Sequence, residues 1–190
     1  MFKKEYMTIP NFLSMSRIVF LPVLFILIWL EMNLAFTIAY AILGSTDLFD
    51  GVVARKLHQT SEIGKALDSI ADLFFYLSTA YFIYALYPQY MQPNMTFLYV
   101  FLGLLVFSFL VSAVRCKKPI LMHTFILKLC AVFVYFLVIL SYFLDTTGFI
   151  AFILFTYYIG FIEEIIIFIR YGEVDPDTPT LFHLIWAKRE

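Results

Sequence analysis

The stretch DLFDGVVARKLHQTSEIGKALDSIAD (residues 47–72) carries four aspartates at fixed spacings in a chain that is otherwise mostly apolar. On helices, Asp47 and Asp50 lie three residues apart and Asp68 and Asp72 four apart, so each pair shares one helical face. Two antiparallel helices joined by a polar turn would bring the four carboxylates together. Like charges this close repel strongly unless cations lie between them, and hard divalent ions prefer oxygen ligands. The spacing therefore predicts a two-metal site.

The composition of the 190-residue chain excludes an ordinary soluble domain, since 63% of its residues are hydrophobic and only 14% are charged. It predicts one integral membrane domain. Residues 1–10 lack the small-residue cleavage site of a signal peptide, so we expect them to form a short N-terminal interfacial segment. The membrane domain is expected over residues 11–171 and a polar tail over residues 172–190. The net charge of −1 gives no indication of a nucleic-acid partner.

Apolar runs along the chain predict an all-α integral membrane protein with six transmembrane helices. A helix needs about 20 residues to cross a bilayer, whereas the second apolar run ends at Leu43. We therefore expect that helix to continue through Asp47 and Asp50. The expected helices cover residues 11–30, 34–55, 61–87, 96–114, 120–144 and 149–170, with a loop at 88–94 and short turns near Glu31 and Asp145.

Lysine and arginine are concentrated on one side of this six-helix topology. An even number of crossings places both termini on the same side, and these basic residues fall there: Lys3, Lys4, Arg55, Lys56, Lys65, Arg115, Lys117, Lys118, Arg170, Lys188 and Arg189. Cytoplasmic loops of membrane proteins are enriched in lysine and arginine, so both termini are predicted to be cytoplasmic. Ionisable groups within the helices are expected in the cytoplasmic halves, which predicts a polar cavity that opens to the cytoplasm.

The residues beside the aspartates suit a phosphorylated ligand. Gly51 and Gly64 would let a ligand approach the helix backbone closely, and Arg55 can bind phosphate through its forked guanidinium. Phosphoryl transfer requires metal ions on the phosphate oxygens, an aligned acceptor hydroxyl and a base. One of the four carboxylates can serve as that base while the others hold metal.

The same stretch resembles the motif of the CDP-alcohol phosphatidyltransferases. It reads Asp47-x2-Asp50-Gly51-x2-Ala54-Arg55-x8-Gly64-x3-Asp68-x3-Asp72. The resemblance implies a compact six-helix membrane enzyme that transfers a phosphatidyl group from CDP-diacylglycerol to a small cytoplasmic alcohol and releases CMP. It thereby implies a role in phospholipid biosynthesis, in a cell membrane of the bacterial type, and it suggests a homodimer.

Residue roles follow from this resemblance. The two metal ions, Mg²⁺ or Mn²⁺, would be held by Asp47, Asp50, Asp68 and Asp72. Asp72 would also be the catalytic base. The CDP moiety would contact Gly51, Ala54, Arg55 and Gly64. The lipid tails would lie between helices and reach the cavity from the side.

The identity of the acceptor alcohol depends on features outside these eight positions. Residues 8–18 (TIPNFLSMSRI) look like the opening of phosphatidylglycerophosphate and cardiolipin synthases, which favours glycerol 3-phosphate. Those enzymes usually have proline after the third aspartate and lysine after the fourth, where this chain has Ser69 and Leu73. The run at 67–72 (LDSIAD) is closer to phosphatidylserine synthases. Serine, inositol and inositol phosphate therefore stay open as acceptors beside glycerol 3-phosphate.

Basic residues in the second half of the chain are candidates for binding an anionic acceptor. We predict this role for Arg115, Lys128 and Arg170. Lys128 lies about 12 Å along its expected helix from Ile120, at 1.5 Å per residue. Because Glu163 and Glu164 lie at a similar depth, Lys128 is expected either to pair with one of them or to bind an acceptor phosphate.

Two further polar residues and two further protein classes stay open. Arg17 would support the rim of the cavity or meet lipid headgroups, and His123 would form a structural hydrogen bond or act in catalysis. The chain could instead be a cation transporter that uses the aspartates as its site, or a non-catalytic membrane scaffold. The one-sided distribution of ionisable groups disfavours the transporter, since transporter sites usually lie near the membrane midplane.

Overall fold

The structure, a computed structural model, describes residues 9–56 and 62–187, except for the side chains of residues 9, 10, 13, 47–56, 62, 63, 65–69 and 187. Every regular element in these ranges is helical, which confirms the expected all-α class. The helices are α1 (Ile9–Trp29), α2 (Asn33–Lys56), α3 (Glu62–Leu86), α4 (Pro88–Met91), α5 (Met95–Cys116), α6 (Phe125–Ser141), α7 (Thr147–Tyr171) and α8 (Leu181–Ala187), with a 3₁₀ turn (Gln92–Asn94) before α5.

The chain divides into two compact units. Unit 1 comprises Met1–Pro88 and Val138–Leu144, and unit 2 comprises Gln89–Leu137 and Asp145–Glu190. Unit 1 therefore contains α1, α2, α3 and the end of α6, whereas unit 2 contains α4, α5, α7, α8 and most of α6. The aspartate-rich stretch lies in unit 1, and the candidate acceptor residues lie in unit 2.

In unit 1, α1 packs against both α2 and α3, and aromatic rings fill the space between α2 and α3. Tyr40 stacks on Phe75 with ring centroids 5.1 Å apart, and Phe36 meets Phe82 edge-on at 5.2 Å. The Tyr40 hydroxyl lies 3.1 Å from Thr79 Oγ1, so these two buried hydroxyls satisfy each other. Residues later in α2 contact residues earlier in α3, so the two helices run antiparallel, as the sequence predicted.

A tight turn joins α1 to α2, as expected near Glu31. Glu31 has a φ of 57°, in the left-handed region, and its N–H donates to Ile28 O at 2.9 Å. The backbone of α2 then begins at Asn33 and stays helical past Leu43 as far as Lys56. The prediction that the second helix continues beyond its apolar run is therefore confirmed for the backbone.

In unit 2, α5 packs against α7, and the starts of these two helices are tied together by a buried asparagine. Asn94 Nδ2 donates to Tyr90 O and to Thr147 O, each at 2.9 Å. Farther along, the Tyr158 hydroxyl donates to Phe97 O at 2.5 Å. In each of these bonds a side chain donates to a backbone carbonyl. Lipid tails offer no hydrogen-bond donors, so such bonds satisfy carbonyls that would otherwise lack a partner in a membrane.

α7 is fixed at its first turn and again near its middle. Asp145 Oδ1 accepts a hydrogen bond from Thr147 N at 2.8 Å, and this bond lowers the pKa of Asp145 below its usual value. A Cβ added at Gly160 would lie 2.7 Å from Leu127 Cδ2, closer than carbon atoms normally pack. Glycine at this position therefore lets α6 approach α7 closely.

Two expectations about the connecting segments are wrong. The expected loop at 88–94 is the short helix α4 followed by a 3₁₀ turn, because Pro88 stands at the first helical position, where its missing N–H costs nothing. The fifth helix was expected from residue 120 but α6 begins at Phe125. The residues before it are not helical since His123 N donates to Pro176 O, as Phe125 N does to Pro179 O, both at 2.8 Å.

Two described helical stretches, Pro88–Cys116 and Thr147–Tyr171, are long and apolar enough to cross a membrane. Four shorter apolar stretches lie in α1, α2, α3 and α6: Ser14–Trp29, Asn33–Thr46, Ile70–Leu86 and Phe125–Ser141. Length and composition of the described residues therefore support two of the six expected spans.

Candidate active site

Asp72, the fourth aspartate of the stretch, is held by an arginine from the first helix. Arg17 Nη1 donates to Asp72 Oδ1 at 2.5 Å, and the two side chains are 1% and 23% exposed. Arg17 Nη2 lies 3.4 Å from Ser14 Oγ. A charge so far from water is stable only when it is paired and hydrogen-bonded. This contact joins α1 to α3 across 55 positions of sequence.

Arg17 belongs to a polar stripe on the otherwise apolar helix α1. Asn11, Ser14 and Arg17 follow one another at intervals of three residues, and all three are buried. Residues at this spacing share one helix face, and that face lies inside unit 1. The alternative that Arg17 meets lipid headgroups is therefore wrong. Asn11 and Ser14 were not predicted as part of the site, although their regular spacing ahead of Arg17 indicates a shared helix face.

The other predicted members of the site have side chains outside the described part of the chain: Asp47, Asp50, Gly51, Ala54, Arg55 and Asp68. The backbone is helical at all of these positions, on α2 for the first five and on α3 for the last. Gly64 is half-buried on α3, eight residues before Asp72. The clustering of the four carboxylates thus stays a prediction.

Two neighbouring glutamates of α7 hold backbone groups. Glu164 is 1% exposed, and its Oε1 accepts a hydrogen bond from Met122 N at 2.9 Å. Glu163 Oε1 accepts one from Leu181 N, the first residue of α8, at 2.8 Å. Glu164 therefore fixes the segment that precedes α6, and Glu163 fixes the start of α8.

Lys128 pairs with the C-terminal part of the chain. Its Nζ lies 3.2 Å from Asp177 Oδ1, and both side chains are about half exposed. The prediction that Lys128 pairs with Glu163 or Glu164 is wrong. Its partner is Asp177 in the C-terminal tail, and both glutamates accept hydrogen bonds from backbone N–H groups. Residues 172–180, here named the acidic strap, thus contact a residue that was assigned to the acceptor.

The acidic strap makes a second ion pair and also packs against an apolar cluster. Lys118 Nζ lies 2.5 Å from Glu173 Oε1, again between exposed side chains. Val174 of the strap packs against a buried cluster that includes Ile167 and Phe168 of α7. The strap is therefore held by apolar contact and by charge together.

The two arginines predicted to bind the acceptor make contacts within unit 2. Arg115 Nη2 donates to Ile169 O at 2.7 Å, at the end of an apolar groove between α5 and α7. The Arg170 guanidinium lies 5.9 Å from the ring centroid of Tyr171, which is within cation–π range. No group of three or more potential metal-ligating side chains occurs among the side chains that the structure describes.

Matches to known proteins connect these helices to a family. The family model for CDP-alcohol phosphatidyltransferases matches residues 7–168, a range that includes α1, α2, α3 and the whole aspartate-rich stretch. The chain belongs to the CDP-alcohol phosphatidyltransferase family. The resemblance drawn from eight motif positions is thereby confirmed. Proteins of this family are embedded in membranes and generally depend on divalent metal ions.

Curated relatives match about a third of this chain, and the match spans less than half of each relative's own length. Human cardiolipin synthase (CMP-forming) is 48% identical over 67 residues, which are 34% of this chain and 22% of the human protein. CDP-diacylglycerol–glycerol-3-phosphate 3-phosphatidyltransferase of Aquifex aeolicus is 38% identical over 69 residues, 36% of this chain and 39% of that protein. The Pseudomonas fluorescens protein of the same name is 35% identical over 69 residues, 35% of each chain. No solved structure matches.

Proposed function

We propose that this protein transfers a phosphatidyl group from CDP-diacylglycerol to glycerol 3-phosphate and releases CMP, as a step of phospholipid biosynthesis. The family match over residues 7–168 carries the proposal, because that range includes every position of the aspartate motif. The names of the relatives from Aquifex aeolicus and Pseudomonas fluorescens favour glycerol 3-phosphate over serine or inositol. The human relative is named as a CMP-forming synthase.

In the proposed reaction Asp72 is the general base. It would take the proton of the acceptor hydroxyl while the acceptor oxygen forms a bond to the β-phosphorus of CDP-diacylglycerol. The bond from that phosphorus to the oxygen of CMP would break, and CMP would leave with the electron pair. A positioned carboxylate commonly contributes about 10²–10⁴-fold to such a transfer. The partial exposure of Asp72, 23%, supports this role, since a base must reach the solute that it deprotonates.

The residues of the motif fit a pair of divalent ions. Asp47, Asp50, Asp68 and Asp72 offer only carboxylate oxygens, the donors that Mg²⁺ and Mn²⁺ prefer. The described carboxylate, Asp72, is held through one oxygen by Arg17, and such an outer partner can set the orientation of a metal ligand. When bound, the ions would neutralise charge on the phosphate oxygens during transfer.

We assign the CDP moiety to the middle of the stretch. Gly51 and Gly64 would give its phosphates and ribose close access to the helix backbone, with Ala54 as a small neighbour. Arg55 would hold a phosphate through its guanidinium fork. The acyl chains of CDP-diacylglycerol would lie between helices and in the bilayer.

We assign the phosphate of the acceptor to Arg115, Lys128 and Arg170. Lys128 pairs with Asp177 in the structure, so the acceptor phosphate would have to replace that carboxylate. The replacement is favourable because an exposed ion pair contributes only about 0–1 kcal/mol. A phosphate carries more charge than the carboxylate and more acceptor oxygens.

The proposed setting is a cell membrane of the bacterial type, with six crossings, both termini in the cytoplasm and a polar cavity that opens on that side. The concentration of lysine and arginine at one side supports this topology. We propose a membrane domain over residues 11–171 between an interfacial segment at 1–10 and a polar tail at 172–190, and a homodimer as the assembly. Reporter fusions that placed Lys117 outside the cytoplasm would contradict the topology.

One assay tests the function and the acceptor together. The purified chain in detergent, with CDP-diacylglycerol and Mn²⁺ or Mg²⁺, is offered glycerol 3-phosphate, serine, inositol and inositol phosphate in separate reactions. CMP release is the readout. We expect release with glycerol 3-phosphate, and no release when the metal is chelated.

The other outcomes are equally informative. Release with serine, inositol or inositol phosphate alone would keep the enzyme class and replace the acceptor. An absence of CMP with all four acceptors would contradict the proposed function and favour the non-catalytic scaffold or the cation transporter. Uptake of Mn²⁺ by vesicles that contain the protein would then distinguish those two.

A further inference from the structure

We infer that Arg17 is a positioning residue for the metal site: it fixes the orientation of the Asp72 carboxylate from outside the aspartate motif. The inference rests on the proposed function, which makes Asp72 a metal ligand and base. It adds a member from α1 to a site otherwise built from α2 and α3. The contact that carries it is the bond from Arg17 Nη1 to Asp72 Oδ1 at 2.5 Å.

The burial of Arg17 shows that this contact is a built feature of unit 1. Only 1% of its side chain is exposed, whereas the partner carboxylate keeps 23% exposure. An arginine inside an apolar helix is costly and persists where it is paired. A simple role as a topology signal would leave the guanidinium near headgroups and water instead.

The geometry also explains why an arginine serves here. The guanidinium is a planar fork with several donors, and while Nη1 holds Asp72, Nη2 reaches Ser14 Oγ at 3.4 Å. Ser14 and Arg17 lie on one face of α1, so the helix itself sets the angle of the fork. A carboxylate bonded in this way has its rotamer set before any ligand arrives.

Outer partners of metal-bound carboxylates commonly have large effects. Their substitution typically costs about 10–100-fold in metal affinity or activity, because the ligand then samples orientations that cannot bind. Charge acts in the opposite direction, since removing a cation beside a metal site should strengthen the binding of another cation. These two effects predict different results for the two variants described next.

The experiment compares Arg17→Lys, which keeps the charge and loses the fork, with Arg17→Gln, which loses both the charge and the fork. Mn²⁺ affinity of the purified protein is measured without substrate, from the free Mn²⁺ signal in electron paramagnetic resonance. Positioning predicts that both variants bind Mn²⁺ at least about tenfold more weakly than the wild type. It also predicts a lower kcat for CMP release, with a smaller change in KM for CDP-diacylglycerol.

A matched control separates positioning from general loss of stability. Thr79→Val removes a buried hydroxyl of α3 that bonds to Tyr40, so it should lower the thermal unfolding temperature and leave Mn²⁺ affinity unchanged. Should both Arg17 variants fail to fold, Ser14→Ala decides, because it keeps Arg17 and removes one of its contacts. We then expect weaker Mn²⁺ binding in Ser14→Ala, and unchanged binding would overturn the inference.

The results also distinguish this inference from the proposed function. A wild type that binds Mn²⁺ without releasing CMP, and Arg17 variants that bind Mn²⁺ more weakly, would support positioning and contradict the enzymatic role. An active wild type whose Arg17 variants keep its Mn²⁺ affinity and kcat would overturn positioning alone. Tighter Mn²⁺ binding by Arg17→Gln with unchanged binding by Arg17→Lys would overturn it as well, in favour of a purely electrostatic effect.

Discussion

The ion pairs of unit 1 and unit 2 connect residues that are far apart in sequence, but their surroundings differ. Arg17 and Asp72 meet within a three-helix unit, where the arginine is 1% exposed. Lys128 and Asp177 meet at a surface, where both side chains are about half exposed. Water competes for both members of the second pair, whereas in the first it hardly reaches Arg17 and reaches Asp72 only in part. The same chemical contact therefore fixes a side chain in unit 1 and can be exchanged in unit 2.

This difference matches the roles proposed for the two regions. A base and metal ligand must keep one orientation through every turnover, which a buried pair provides. An acceptor site must release its resident partner when substrate arrives, which an exposed pair allows. In unit 2 the lasting connections are instead made by Glu163 and Glu164, which hold backbone N–H groups. The predictions below test this contrast between the two units.

The largest effect is expected at Asp72. The substitution Asp72→Asn keeps an oxygen that accepts the bond from Arg17 but cannot take a proton from the acceptor. The rate of CMP release should fall about 10²–10⁴-fold. The thermal unfolding temperature should also fall, because the buried Arg17 loses the charge that balances its own. Asp145→Asn is the control for loss of an aspartate charge elsewhere, since an asparagine oxygen at 145 can still accept from Thr147 N at the start of α7. A variant at Asp72 that kept wild-type turnover would remove the residue from its role as base.

The next largest effect is expected in the free energy of unfolding, where loss of the buried ion pair is compared with loss of an exposed one. Arg17→Met leaves the Asp72 carboxylate without its buried partner, and breaking a buried pair costs about 3–5 kcal/mol. We expect the lower end, about 3 kcal/mol in the free energy of unfolding, because Asp72 keeps some contact with water. Lys118→Met breaks the exposed pair with Glu173 and should cost less than about 1 kcal/mol. Equal losses in denaturant titrations would contradict the contrast between the units.

A smaller loss of stability is expected at Glu164. Glu164→Leu leaves the buried N–H of Met122 without an acceptor, which costs about 1–3 kcal/mol. Glu164→Gln retains an acceptor oxygen at the same place and should stay closer to the wild type. Thermal unfolding in detergent measures the difference. Equal stability of the two variants would show that the bond to Met122 N contributes nothing.

The sequence predicted the fold where the deciding signals are local. Helix α2 had to continue beyond Leu43 because its apolar run was too short to span, and its backbone does so. The start of α6 was missed by five residues, since residues 120–124 (ILMHT) contain no glycine or proline that would mark the end of a helix. What prevents helix there is bonding to carbonyls of Pro176 and Pro179, about fifty positions later, which no local pattern contains.

For the site, too, the predictions succeeded where the signal is local and failed where it depends on distant residues. The motif spacing was enough to identify the family, because eight positions over two helices are a local pattern. The partner of Lys128 was mispredicted. The rise per residue of a helix places Lys128 and the glutamates of α7 at a similar depth, but it does not show where the C-terminal tail folds back. Arg17 was predicted to support the rim of the cavity or to meet lipid headgroups, but its contact with Asp72 depends on how α1 packs against α3.

The smallest effect is expected at the exposed pair of the acidic strap. Asp177→Asn removes the carboxylate that competes with the acceptor for Lys128. Exposed pairs contribute about 0–1 kcal/mol, so the unfolding free energy should hardly change and the KM for glycerol 3-phosphate should fall by no more than about fivefold. Glu173→Gln removes the strap's other ion pair, which involves Lys118 rather than Lys128, and should leave that KM unchanged.

A KM that stayed constant in Asp177→Asn would show that Lys128 does not bind the acceptor and would leave Arg115 and Arg170 as its candidate ligands. A KM that rose would indicate that the strap helps to order the acceptor site rather than competing with substrate for it.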